Sequence, residues 1–254
     1  MLFIVYKCGV KMKNKLLAFI IILFPYLAQS SEIYQVSTFE ALTQGVYEGD
    51  VTYAEIFRKG DFGIGTFNGT FGEMVAIDGQ FYQDSANGTL RLVDPSLKSP
   101  FAIVTFFTPT FSFPLENIQK NEALYELISS NFEKKNIPYA IKIEGSFRSL
   151  HLRSYEKQEA PYKPLAEASK EQNEYDLYDV EGILVGFFFP SYFDGINLAR
   201  FHFHFINKSK TIGGHVLDMD LKKGTCFLQP TDTITLQLPN TESFSNAKLN
   251  QTAK

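Results

Sequence analysis

The stretch Arg200–Asp218 reads RFHFHFINKSKTIGGHVLD and holds three of the chain's four histidines, His202, His204 and His215. In an extended strand successive side chains point to opposite faces. Phe201, Phe203 and Phe205 therefore line one side of the first segment, and His202 and His204 the other. The segment INKSKTIGG supplies turn residues, after which His215 returns on the neighbouring strand opposite the pair. The reading is a β-hairpin, so the histidines belong to a sheet. Three imidazoles converging from a hairpin suit Zn2+, which takes nitrogen at about 2.0–2.1 Å and keeps a fourth position open in catalytic sites. H-x-H by itself is an ordinary decoration of an amphipathic strand. The third histidine, behind Gly213-Gly214, turns the pattern into a ligand set.

Around this hairpin the chain is rich in strand signals. EGILVGFFFP, INLARFHFHFIN, GGHVLDMDL, GTCFLQP and DTITLQL give five strand candidates in a row. Before them, YAIKIEGSFRSLHLRSY alternates from Tyr139, and EAPYKPLAEASKEQNEYD is a polar loop of flap or linker type. ENIQKNEALYELISSNF (Glu116–Phe132) places Ile118, Leu124, Leu127, Ile128 and Phe132 largely on one face, which predicts a helix. FAIVTFF (Phe101–Phe107) reads as a buried strand. DFGIGTFNGTFGEMVAIDGQFYQ (Asp61–Gln83) reads as strands joined by tight hairpins, with IDGQ as one turn and the later SANG as another. Phe39–Leu42 and Val51–Phe57 are short helical candidates. The fold class is α+β, two β-sheet-rich domains of mixed and antiparallel strands with few helices. We place an N-terminal domain with the long helix at 31–136 and a C-terminal domain with the histidines at 137–254.

Composition narrows the function. The 254 residues are 44% hydrophobic and 20% charged, as in a globular chain. A net charge of -4 with no basic stripe excludes a nucleic-acid partner on electrostatic grounds. MKNK (Met12–Lys15), the apolar run Leu16–Ala28 and Ala28-Gln29-Ser30 read as a signal peptide occupying residues 1–30, with Met12 the better start. The apolar run has 13 residues, where a spanning helix needs about 20. An exported enzyme, periplasmic or secreted and not membrane-bound after cleavage, is the expectation. The mature chain then carries one cysteine, Cys226, in the strand-like TCFL, which is a small buried hydrophobe rather than half of a disulfide.

Two metal families can be compared by ligand spacing. α-Carbonic anhydrases also use an FHFH-like strand, but their third histidine lies further along, in a tryptophan-rich context this chain lacks. Cupins follow H-x-H with a glutamate a few residues later, whereas Ile206–Lys210 contains no acid.

Four blocks in order, GDFGIGTFNGTFGEMVAIDGQFY, LRSYEKQEAPYKPL, GILVGFFFPSYFDGIN and FHFHFINKSKTIGGHVLD, resemble α-acetolactate decarboxylases from about Tyr34 to Ala247. The resemblance implies two β-sheet domains with zinc held between them by His202, His204 and His215. It also implies site roles for Glu73 in the G-E-M block, the nearby Thr66 in GTFN, and Arg153 in the R-S-x-x-x-Q-x-x-P-Y block. The implied reaction converts (S)-2-acetolactate, and its ethyl homologue 2-aceto-2-hydroxybutyrate, to (R)-acetoin or its counterpart and CO2. Zinc would act as electron sink for the enediolate, Arg153 would hold the departing carboxylate, and Glu73 would return the proton. His151 shares the parity of Arg153, and Arg148 has the opposite one.

The chain departs from the family at two places. The family usually reads L-D-G-E where this chain has Thr70-Phe71-Gly72-Glu73, which puts the local hydrogen bonding in question. Some members bring a second glutamate from a longer C-terminal tail, and here Glu242 is the only acid of the tail and does not match it. Two alternatives stay open on sequence: an exported zinc lyase or hydratase of carbonic-anhydrase type, and a non-catalytic periplasmic metal-binding protein. A homodimer is the default assembly.

Overall fold

A computed structural model describes residues 32–249; the signal-peptide reading of residues 1–30 lies outside the described residues. The strands, in chain order, are β1 (Glu32–Val36), β2 (Val51–Thr52), β3 (Phe62–Thr66), β4 (Glu73–Ile77), β5 (Gln80–Asp84), β6 (Leu90–Leu92) and β7 (Lys98–Ser99). They continue as β8 (Phe101–Thr105), β9 (Phe111–Gln119), β10 (Tyr139–Ser154), β11 (Asn173–Phe189), β12 (Arg200–Asn207), β13 (Gly213–Pro230) and β14 (Thr233–Gln237). Two sheets dominate. One has seven strands in the order β14-β1-β8-β3-β4-β5-β6; the other has five in the order β10-β11-β12-β13-β9. The expected α+β class with mixed and antiparallel sheets is what the chain forms, the one parallel pair in these two sheets being β1 with β14.

The first sheet is built from hairpins, as the glycine-rich stretch predicts. Asp78 (φ 53°) and Gly79 (φ 74°) turn β4 into β5. Positive φ at both central residues is the geometry that matches the twist of paired strands. In the second sheet β10, β11 and β13 are 16, 17 and 18 residues long. One edge of β13 pairs with β10, while the other takes β12 near its start and β9 further along. Because β10 also pairs with β11, and β11 with β12, the second sheet closes on itself.

The two sheets pack face to face. Ile33, Phe62, Ile64, Val75, Ile77 and Ile103 of the first meet Ala140, Val185, Phe187, Phe189 and Ile206 of the second. Full burial of each such side chain contributes on the order of 2 kcal/mol. The opposite face of the second sheet is covered by the helix Asn121–Ser130, whose Leu124 and Ile128 join Phe203 and Phe205. The alternation of FHFHF therefore separates two environments: phenylalanines toward the helix layer, His202 and His204 toward the first sheet.

Three sequence expectations need correction. The helix expected over Glu116–Phe132 begins at Asn121, because Glu116–Gln119 belong to β9 and put Ile118 into the core beside Leu115 of the same strand. The loop expected over Glu159–Asp176 ends at Gln172, where the polar start of β11 pairs with Phe147–Ser154 of β10. The boundary at 136/137 does not follow the sheets. Strand β9 and the helix after it pack on the second sheet, and β14 returns to the first. Burial of the apolar positions, rather than chain order, decides which sheet each element joins. Of the short helical candidates, Phe39–Leu42 forms as the helix Phe39–Thr43. Val51–Phe57 splits into β2 and the helix Tyr53–Ile56, started by a Thr52/Glu55 capping box.

Candidate active site

The hairpin of β12 and β13 puts His204 directly opposite His215, and Arg153 of β10 opposite His215 on the other edge of β13. The turn is locked by Asn207, whose side-chain oxygen accepts from the backbone N–H of Thr211 and Ile212 at 2.8 and 3.1 Å. His202 Nε2 lies 3.1 Å from His215 Nδ1, and one nitrogen from each of the three histidines falls within 4.8 Å of the others. Two nitrogens bound at about 2.05 Å to one tetrahedral ion sit roughly 3.3 Å apart, so the spacing accepts a shared cation.

Protonation favours the same use. Burial holds all three imidazoles below the usual histidine range, most strongly for His202 and His215, and the Arg153 guanidinium adds to the effect. A neutral imidazole is the ligand form. The Nδ1–H of His204 donates to the Met74 carbonyl at 2.8 Å. That assigns the lone pair to Nε2, which is buried without a hydrogen-bond partner. An orphaned, buried nitrogen in a cluster of three fits a metal ligand.

The first sheet supplies the rest. Glu73 opens β4, buried beside this cluster, with Oε1 accepting from Arg153 Nη1 at 2.8 Å and Oε2 3.4 Å from His204 Nε2. Arg153 also lies over the Tyr155 ring, 4.7 Å from its centroid. The chain thus brings together His202, His204, His215, Glu73 and Arg153 from both sheets. Thr66, opposite Glu73 in the β3–β4 pair, donates its hydroxyl to the Gly72 carbonyl at 2.7 Å and so supports the turn that delivers Glu73. The R-S-x-x-x-Q block docks onto the same turn, where the Gln158 N–H donates to the Gly69 carbonyl at 2.8 Å.

His151 and Arg148 stand apart. His151 is held at the surface between Asp176 (2.8 Å) and Glu174 (3.0 Å). Arg148 pairs with Asp220 at 2.7 Å. Glu242 is exposed at the start of the helix Glu242–Asn246.

Sequence reasoning missed Asp84. The turn before Glu73 carries Phe71 in place of an acid, yet the Glu73 amide is not left without an acceptor. Asp84 Oδ1 on β5 takes it at 2.5 Å, and also accepts from the Ser154 hydroxyl at 2.7 Å. No motif marks an acid that acts from the end of a neighbouring strand; only the hairpin register of β4 and β5 reveals it. The Met74 carbonyl, a backbone group, had no sequence signal at all.

Fold and site together define a two-sheet protein with a three-histidine centre at the sheet interface, flanked by a buried carboxylate–guanidinium pair. The family model for alpha-acetolactate decarboxylase matches residues 33–251. Alpha-acetolactate decarboxylase of Methylococcus capsulatus is 40% identical over 225 residues, covering 87% of this chain and 85% of that protein. The Bacillus subtilis enzyme of the same name is 42% identical over 219 residues, 86% of each. The crystal structure of alpha-acetolactate decarboxylase from Bacillus subtilis strain 168 matches with a TM-score of 0.85 at 41% identity, covering 87% of this chain and 95% of that one. The chain belongs to the alpha-acetolactate decarboxylase family and is an enzyme of that carboxy-lyase class.

Proposed function

We propose that the protein converts (S)-2-acetolactate to (R)-acetoin and CO2, with Zn2+ held by His202, His204 and His215. The observation that supports this best is the Glu73 carboxylate, placed between Arg153 and His204 beside the three histidines. When held by His202, His204 and His215, zinc would supply a Lewis acid able to draw off the electron density that decarboxylation releases. Arg153 offers a planar fork to that carboxylate and orients the C–C bond that breaks. Its second partner, Glu73, keeps the guanidinium in place before substrate arrives. Departure of CO2 leaves an electron pair on the carbon that carried it; Glu73, released from Arg153 by the substrate carboxylate and protonated from solvent, passes that proton to the carbon and returns to the carboxylate. A donor fixed on one side of the substrate sets the hand of the product. Burial of the surrounding residues keeps water from competing for that proton. The ethyl homologue 2-aceto-2-hydroxybutyrate is a second substrate of the same reading. Export follows from the apolar run Leu16–Ala28, and the secreted or periplasmic chain should begin near Ser31.

The test is acetoin formation from racemic acetolactate by wild-type protein and Glu73→Gln, with product handedness read by chiral chromatography. Wild type should give (R)-acetoin; the variant should be slower by roughly 10²–10³-fold, as loss of a proton-transfer group is, with eroded enantiomeric excess. Undiminished rate and handedness in Glu73→Gln would overturn the assigned role.

A further inference from the structure

Asp84 ends β5 and is 2% exposed, yet nothing in the chemistry above uses it. Its Oδ1 joins both sheets: the Glu73 N–H donates to it from the first, and the Ser154 hydroxyl from the second. Each donor is, or adjoins, one half of the reactive pair, since Ser154 follows Arg153 directly on β10. We propose that Asp84 is a positioning residue that sets Glu73 and Arg153 against each other by clamping their two strands through one carboxylate oxygen. The proposal rests on the decarboxylase reading.

The surroundings are shaped for the clamp rather than for stability. Asp84 Oδ2 is buried with no hydrogen-bond partner, and a buried polar atom left unpaired is costly. Burial, reinforced by the charge of Glu73, pushes the Asp84 carboxyl well above the usual carboxylate range. Gly72 lies at φ +77°, and a Cβ there would come within 2.2 Å of the Asp84 carbonyl oxygen and 2.6 Å of Oδ1. Gly72 admits the carboxylate, and Ser154 completes it from the other sheet.

Asp84→Ala, Asp84→Asn and Ser154→Ala would be compared with wild type for kcat, KM and zinc per chain, and Asp84→Ala would be crystallised. Asp84→Ala should lose about 100-fold in kcat, the scale of a misplacement near 1 Å, with zinc stoichiometry unchanged. Asp84→Asn keeps the acceptor oxygen and should stay within about 5-fold of wild type. Ser154→Ala, which removes one of the two hydrogen bonds and little else, should lose about 10-fold in kcat and serves if Asp84→Ala does not fold. In the crystal of Asp84→Ala, Arg153 Nη1 and Glu73 Oε1 should separate beyond hydrogen-bond reach. Wild-type kcat in both Asp84→Ala and Ser154→Ala, an asparagine variant as slow as the alanine one, or an unchanged Arg153–Glu73 contact would each overturn the clamp. If wild type leaves acetolactate unchanged, the substrate reading falls, and the crystallographic distance still decides the clamp.

Discussion

Replacing Arg153 with methionine isolates the energetics of the pair at the sheet interface. The side chains of Arg153 and Glu73 are 15% and 9% exposed, and their polar atoms meet at 2.8 Å. Removing one partner of a buried pair leaves an uncompensated charge, and such changes cost about 3–5 kcal/mol. Here the lower end applies, because the pair keeps some contact with solvent through the Arg153 side, which is 15% exposed. Arg153→Met should therefore destabilise by about 3 kcal/mol. Glu73→Gln should cost less, about 1–2 kcal/mol, since the guanidinium keeps solvent access and its stacking over Tyr155. With both changes no buried charge is stranded, so the double variant should be more stable than Arg153→Met, giving a coupling of about 1–2 kcal/mol or more. Urea unfolding of chelator-treated proteins measures this without a contribution from bound metal. A cost below about 1 kcal/mol for Arg153→Met, or simple additivity in the double variant, would refute a buried, mutually dependent pair.

Three further expectations concern other parts of the chain. Gly72→Ala should lose activity and about 2 kcal/mol or more of stability in urea unfolding, because it combines a positive φ with contacts to Asp84 that cannot relax; wild-type behaviour would show that the β3–β4 turn is not constrained. The hydrogen bond to Asp176, helped by Glu174, raises the pKa of His151 above that of an ordinary histidine. Its stabilising contribution is full below about pH 6.5 and is lost as pH rises through the raised value. His151→Ala should thus cost under about 1 kcal/mol at pH 5.5, as exposed pairs do, and less at pH 9, measured by thermal unfolding; the reverse order would contradict it. Burial pushes the Cys226 thiol far up, so it should resist a thiol reagent in the native protein and react only on unfolding; rapid native labelling would contradict its core placement.

The histidine hairpin was legible in the sequence because strand parity and a turn fix where three imidazoles point, and His204 does face His215 across the hairpin. Tight glycine turns made the first sheet equally readable, down to the reversal at Asp78-Gly79. The start of the helix was not. Ile118 satisfies a helical period but is drawn into β9 by pairing with Leu221 of β13, a long-range contact that no local pattern contains. The same holds for β14, whose alternating sequence marks a strand without saying that it runs parallel to β1 at the opposite end of the chain. At the site, Glu73 and Arg153 were recognised through their motif blocks, whereas their contact with each other, and Asp84 behind them, arise only when the two sheets meet.

On the proposed function, turnover depends on one zinc ion held by His202, His204 and His215. The most direct measurement is CO2 release from carboxyl-labelled acetolactate by chelator-stripped protein titrated with Zn2+. Activity should be absent in the stripped protein, rise in proportion to added metal and break sharply at one ion per chain. Full turnover in stripped protein, or no turnover with one zinc bound per chain, would contradict it.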